Sequence, residues 1–106
     1  MGRIYLIGLP GVGKTTLGQK IADFMNVPFV DIDCMLHEEA GMSVADIVST
    51  YGEPHFRDLE SQMLAAIAAK PLDAVIATGG GIILREENRS RLRQSGTVVY
   101  LDRSPE

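Results

Sequence analysis

The chain is short of cysteine, of long hydrophobic runs and of positive charge, and each shortage excludes a class of protein. A single cysteine, Cys34, cannot form an internal disulfide, so we expect a reducing compartment and a partly buried, structural thiol. No segment approaches the ~20 apolar residues that span a membrane, and the N-terminal apolar run is too short for a signal peptide. These features predict a cytoplasmic protein with no membrane partner.

The charge balance argues against a nucleic-acid-binding protein. Ten Lys and Arg residues face fourteen Asp and Glu residues, a net charge of −4 at pH 7. The basic residues are grouped only in residues 85–93, where interleaved glutamates predict a solvated helix face. With 106 residues, of which 45% are hydrophobic, the chain is expected to form one domain over 1–106 with one modest core.

The most informative motif is GLPGVGKT at residues 8–15, a complete GxxxxGK[ST] phosphate loop between an apolar run and a helical pattern. Its glycines let backbone N–H groups converge on a phosphate, and the N-terminus of the next helix favours negative charge there. Lys14 adds a cation for the β and γ phosphates, and the Thr15 hydroxyl is placed to ligate Mg²⁺. A chance match that only turns a strand into a helix is the alternative. The residues predicted to bind the nucleotide are Gly11, Val12, Gly13, Lys14, Thr15 and Thr16.

Apolar runs alternate with helical patterns along the rest of the chain. Strands are predicted at residues 3–7, 29–32, 74–78 and 97–101. Helices are predicted from near residue 14, over 43–51, from residue 54 and over 85–94. The predicted buried faces of the first three helices consist of Leu17, Ile21, Phe24 and Met25, of Val44, Ile47, Val48 and Tyr51, and of Phe56, Leu59, Met63 and Ile67. This order predicts an α/β fold with three layers, α/β/α, around a parallel sheet.

Working residues of such a sheet lie at the carboxyl ends of its strands. Three features are candidates: the aspartates Asp31 and Asp33, the glycines 79–81, and Arg57 with Glu60 one turn later. Each has a simpler interpretation, because aspartates cap helices, glycines form turns, and an (i, i+3) ion pair can be only a surface feature. His37 and His55 lie on polar helical stretches and are expected to face solvent.

Several motifs, in order, resemble those of the shikimate kinases. They are GLPGVGKTT from residue 8, FVDID from residue 29, SVADIVSTYGEPHFRDLE from residue 43, ATGGG from residue 77, an Asn-Arg pair at residues 88–89, and VVYL from residue 98. The resemblance covers nearly the whole chain. It implies a P-loop fold similar to the nucleoside monophosphate kinases.

The resemblance also implies a reaction, the transfer of the γ-phosphoryl group of ATP to the 3-hydroxyl of shikimate on the route to aromatic amino acids. It implies that Lys14 and Asp33 are catalytic, and that Thr15 and Asp31 hold Mg²⁺, Asp31 through water. Asp33 would also bind the shikimate hydroxyls, and Arg57, oriented by Glu60, would pair with the shikimate carboxylate. The backbone amides that would face the substrate are those of Gly79, Gly80 and Gly81.

Shikimate kinases continue beyond the point where this sequence stops, with a lid, a further helix and a fifth strand. The expected fold therefore lacks the last strand and the lid, and turnover is expected to suffer more than binding. The full-length form is expected to be a monomer, whereas an uncovered sheet edge predicts self-association of the shorter form. Two alternatives stay open: a gluconate or nucleoside monophosphate kinase, and a nucleotide-binding fragment without catalytic activity.

Overall fold

A computed structural model describes residues 2–8, 14–70 and 73–100 of the chain, without the side chain of Lys14. Its strands are β1 (Arg3–Gly8), β2 (Phe29–Asp31), β3 (Ala74–Gly79) and β4 (Gly96–Tyr100). Its α-helices are α1 (Lys14–Met25), α2 (Ile32–Ala40), α3 (Val44–Tyr51), α4 (Glu53–Ala68) and α5 (Glu86–Ser95). A short 3₁₀ helix, Gly80–Leu84, joins β3 to α5, and we call it the glycine turn.

The strands form one parallel sheet in the order β2-β3-β1-β4. β1 and β3 are in register to their last residues, so that Gly8 lies beside Gly79, and Asp31 of β2 pairs with Ala77. The carboxyl ends of these three strands therefore meet at one edge, as the sequence predicts.

Helices cover both faces of the sheet, which confirms the three-layer prediction. Alternate residues of β1 point to opposite faces, with Tyr5 and Ile7 in one apolar cluster and Leu6 in the other. The smaller cluster joins Leu6 and Val75 to Ala22 of α1. The larger cluster lies under the other helices and contains Ile32, Leu36, Ile47, Phe56, Met63, Leu64, Ile67, Ile76, Ile82 and Leu92.

Helix α1 approaches the sheet through small residues. A Cβ on Gly18 would overlap the ring of Phe29, and Ala22 is completely buried. The prediction that Phe24 belongs to the buried face is wrong, since this side chain is 92% exposed. Leu17, from the same predicted face, is 39% exposed. The helix contacts the sheet through the side that carries Gly18 and Ala22, which leaves Phe24 outside.

Helix α2 was not predicted. β2 ends at Asp31 rather than at Ile32, because the Asp31 carboxylate accepts a hydrogen bond from the Cys34 backbone N–H (3.2 Å) and caps a new helix. Gly41 ends this helix in the left-handed conformation, at φ 69°. Cys34 is exposed, so the prediction of a partly buried thiol is wrong.

The remaining elements follow the predictions within one residue at most boundaries. Ser43 caps α3 by accepting a hydrogen bond from the Asp46 N–H, but Tyr51 is 59% exposed, not part of a buried face. His37 and His55 are exposed, as expected. The predicted end of the last strand, at residue 101, lies outside the described residues. None of the described helices has the length and apolar character that crossing a membrane requires.

Candidate active site

The candidate substrate-binding residues that the structure describes come from β3, the glycine turn, α2 and α4. Gly79 ends β3 and Asp33 lies in the first turn of α2, so both are at the carboxyl edge of the sheet. A Cβ built on Gly79 would lie 3.8 Å from Asp33 Oδ2 and 3.9 Å from Glu60 Oε2. The structure therefore brings the glycine segment, Asp33 and Glu60 together.

Arg57 is fixed by two carboxylates of its own helix. Its Nη1 donates to Glu60 Oε1 (2.9 Å), while Nη2 and Nε donate to Glu53 Oε2 (3.0 and 3.3 Å). The guanidinium also lies over the Phe56 ring, 5.2 Å from its centroid. These bonds use three of the five N–H donors of a guanidinium, so within the described residues Arg57 retains donors for a further carboxylate.

Glu60 is almost completely buried, with 2% of its surface exposed. Burial raises the pKa of Glu60, and the Asp33 charge raises it further, whereas the hydrogen bond and charge of Arg57 oppose the shift. For Arg57, burial alone would lower the pKa, but the hydrogen bonds to Glu60 and Glu53 outweigh it and raise the pKa. Arg57 is thus a permanent cation with a buried carboxylate partner, not the surface ion pair of the simpler interpretation.

The glycine turn packs directly against this cation. A Cβ on Gly81 would overlap the Arg57 guanidinium, so only glycine leaves room for the observed arrangement. Gly80 begins the turn. Gly79 and Gly81 therefore bring backbone, rather than side chains, up to Asp33, Glu60 and Arg57.

The residues predicted to bind the nucleotide are described only in part. Gly11, Val12 and Gly13 lie outside the described residues, as does the side chain of Lys14, the first residue of α1. Thr15 and Thr16 follow in the exposed first turn of that helix. The apolar strand β1 leads to this turn, the order that a phosphate loop requires.

The oxygen donors near this edge suit Mg²⁺. Thr15 offers a hydroxyl and Asp31 a carboxylate, and Mg²⁺ prefers oxygen ligands, of which nucleotide phosphates and water supply most. One Asp31 oxygen caps α2. Among the described residues, no group of three or more His, Cys, Asp or Glu side chains could hold a metal ion.

Sequence reasoning overlooked two parts of the site. Glu53 was not assigned a role, although its position four residues before Arg57 is the signal of an (i, i+4) ion pair. Arg85 was assigned to a solvated face, but it contacts Ser61 and Asp58 of α4. The solvated face is confirmed for Glu86, Glu87 and Arg93, which are exposed, and Glu86 pairs with Arg89 and Arg93.

A family model, curated relatives and a solved structure agree on one family. The family model for shikimate kinase matches residues 10–106. The shikimate kinases of Symbiobacterium thermophilum and Paracidovorax citrulli are 48% and 45% identical to the chain, each over 97% of its length. A shikimate kinase from Acinetobacter baumannii, solved in complex with shikimate, matches 98% of the chain with a TM-score of 0.92 and 36% identity.

The chain spans 59% and 57% of the length of the two relatives and 57% of the solved structure. The structural match agrees with the P-loop, nucleoside monophosphate kinase-like fold that the sequence predicts. Because the family model covers nearly the whole chain and the motifs occur in the expected order, the chain belongs to the shikimate kinase family.

Proposed function

We propose that this chain carries the nucleotide- and substrate-binding part of a shikimate kinase, which transfers the γ-phosphoryl group of ATP to the 3-hydroxyl of shikimate. The main support is the Arg57 guanidinium, held by Glu53 and Glu60 against the backbone at Gly81, with Asp33 beside Glu60. A fixed cation beside carboxylates and glycine backbone suits a small polyhydroxylated acid. Such an acid needs a cation to pair with its carboxylate and hydrogen-bond acceptors for its hydroxyl groups.

On the substrate side, Arg57 binds the shikimate carboxylate and Asp33 accepts hydrogen bonds from the hydroxyl groups. Glu53 and Glu60 hold the guanidinium, so little side-chain freedom is lost when the acid binds. Gly79, Gly80 and Gly81 contribute backbone, since a side chain at Gly81 would displace Arg57.

On the nucleotide side, the proposed ligands of ATP are Gly11, Val12, Gly13, Lys14, Thr15 and Thr16. Thr15 and Asp31 would hold Mg²⁺, which, when bound, neutralises phosphate charge during transfer. Lys14 is the protein's own cation for the transferring group. Phosphoryl transfer depends mainly on in-line positioning and charge stabilisation, so Asp33 needs only to orient the 3-hydroxyl and accept its proton.

The wider assignment follows from the same proposal. Residues 1–106 form one domain of a cytoplasmic enzyme of aromatic amino acid biosynthesis, monomeric in its full-length form. In the described sheet β4 is an edge strand, with Val99 37% and Tyr100 61% exposed. This apolar edge supports self-association of the chain when nothing covers it.

The test is a coupled ADP-release assay with MgATP and, in turn, shikimate, gluconate and a nucleoside monophosphate. ADP release is expected to depend on shikimate and to be slow, because turnover is expected to suffer more than binding. Release that depends on either other acceptor would overturn the substrate assignment. Binding of MgATP with no release for any acceptor would instead indicate a nucleotide-binding fragment without catalytic activity.

A further inference from the structure

The glycine turn is held by side chains beyond the proposed substrate contacts. Arg89 donates a hydrogen bond from Nη1 to the Ile83 carbonyl within the turn. Arg85, the residue immediately after the turn, reaches back to α4. Arg85 therefore links the end of the turn to the helix that carries Arg57.

Arg85 is attached to α4 by a polar cluster. Its Nη2 donates to Asp58 Oδ1 (2.8 Å) and its Nη1 to Ser61 Oγ (3.2 Å). Asn88, in the first turn of α5 and only 2% exposed, donates from Nδ2 to the same Ser61 oxygen (3.1 Å). We call these four residues, Asp58, Ser61, Arg85 and Asn88, the α4–α5 polar cluster.

The cluster and the proposed substrate contacts share one stretch of helix. Asp58 directly follows Arg57, and Ser61 directly follows Glu60. Helix α4 therefore contacts the glycine turn at two points. Arg57 packs against Gly81 near the start of the turn, and Asp58 binds Arg85, the residue that follows the turn. A Cβ built on Gly81 would overlap the Arg57 guanidinium, so the spacing at the first contact is tight. A shift of the turn at the second contact would change this spacing.

We propose that Asp58 and Arg85, through the α4–α5 polar cluster, are positioning residues that set the spacing between the glycine turn and Arg57, and thereby shikimate affinity. This inference rests on the proposed function. Neither residue needs to touch the substrate, since the effect reaches it through the turn.

Two substitutions that change the charge in opposite directions distinguish a positioning role from simple electrostatic attraction of the substrate. Arg85→Gln removes a positive charge, and Asp58→Asn removes a negative one, but both break the 2.8 Å ion pair. If Arg85 acted only by attracting an anionic substrate, Asp58→Asn would strengthen shikimate binding. The cluster predicts that both variants weaken it, by roughly tenfold, because a misplaced binding group loses affinity whatever its charge.

The experiment is calorimetric titration of the 106-residue chain with shikimate and, separately, with MgATP. Arg93→Gln is the matched control, because Arg93 lies on the same helix, is 61% exposed and makes only a 3.5 Å contact to Glu86 among the interactions described. We expect an unchanged dissociation constant for MgATP in all variants, unchanged shikimate binding in Arg93→Gln, and partial recovery in Arg85→Lys. Equal weakening of both ligands, or stronger shikimate binding in Asp58→Asn, would overturn the proposal.

Hydrogen exchange gives a readout that does not need shikimate. Arg85→Gln should accelerate amide exchange within Gly80–Leu84 by roughly tenfold, and leave β3 and the Arg93→Gln control unchanged. If the wild-type chain does not bind shikimate, the proposed function fails, and the exchange result alone decides whether the cluster holds the turn. Unchanged exchange in the turn would overturn that role.

Discussion

Replacement of Gly81 by alanine tests the packing of the candidate site at its tightest point. A Cβ there would overlap the Arg57 guanidinium, and Gly81 is not in the left-handed region, so the effect is steric rather than conformational. The guanidinium can move, since it ends a flexible side chain, but only by giving up its bond to Glu60.

The magnitude follows from that bond. A hydrogen bond to a charged group contributes about 1.5–3 kcal/mol, and forced overpacking costs about 1–3 kcal/mol. Glu60 is 2% exposed, so a lost partner leaves a carboxylate in a poorly solvated position. We expect Gly81→Ala to lower the free energy of unfolding by about 2 kcal/mol. We also expect shikimate to bind at least about tenfold more weakly, because its carboxylate partner is displaced.

Urea denaturation and calorimetric titration measure the two effects, and Gly79→Ala is the matched control. Its Cβ would meet Asp33 and Glu60 only at 3.8 and 3.9 Å, ordinary contact distances, and its backbone angles (φ −76°, ψ 162°) suit alanine. Gly79→Ala should therefore leave stability unchanged or raise it by about 0.4–1 kcal/mol. Equal stability of Gly81→Ala and Gly79→Ala would refute the reasoning.

Three further predictions concern the charged groups. Arg57→Ala should weaken shikimate binding far more than MgATP binding, by titration of each ligand, because only shikimate pairs with the guanidinium. Asp33→Asn should suppress ADP release while nucleotide binding, measured by calorimetry, stays nearly intact. Burial holds the pKa of Glu60 above its ordinary 4.5, so the folded chain binds this proton more tightly than the unfolded chain does. The contribution of Glu60 to stability should therefore fall as the pH rises above 4.5, a loss that urea titrations of Glu60→Gln should not show.

Each of these three predictions can be contradicted by one result. Equal loss of both ligands in Arg57→Ala would place Arg57 outside the carboxylate site. Full turnover in Asp33→Asn would remove Asp33 from the mechanism. Parallel pH profiles for the wild type and Glu60→Gln would mean that folding does not raise the pKa of Glu60.

The sheet and its connections could be predicted because apolar runs of β-strand length alternate with helical patterns, a strong and local signal. The helix Ile32–Ala40 was not predicted although its signals are present, an N-capping Asp31 and a terminal Gly41. Asp31 lies at the end of a strand that is only three residues long, where an aspartate can equally be a functional residue or a cap. The sequence pattern alone does not distinguish a functional aspartate from a helix cap.

Burial was predicted less well than secondary structure, because it depends on which side of a helix approaches the sheet. Helix α1 approaches the sheet through Gly18 and Ala22, small residues that contribute little to a hydrophobic pattern. The pattern therefore favoured the large Phe24, which was wrongly assigned to the core. Arg85 shows the same limit for polar residues. Its partners Asp58 and Ser61 are 24 or more positions away in sequence, and no local pattern reports such a contact.

The central claim is that Arg57, Asp33 and the glycine turn form a shikimate site, and titration of shikimate into the 106-residue chain tests it most directly. The account predicts saturable binding of one shikimate per chain that is lost in Arg57→Ala and kept in Arg93→Gln. MgATP binding with no detectable heat from shikimate at millimolar concentration, or shikimate binding that Arg57→Ala leaves unchanged, would contradict it.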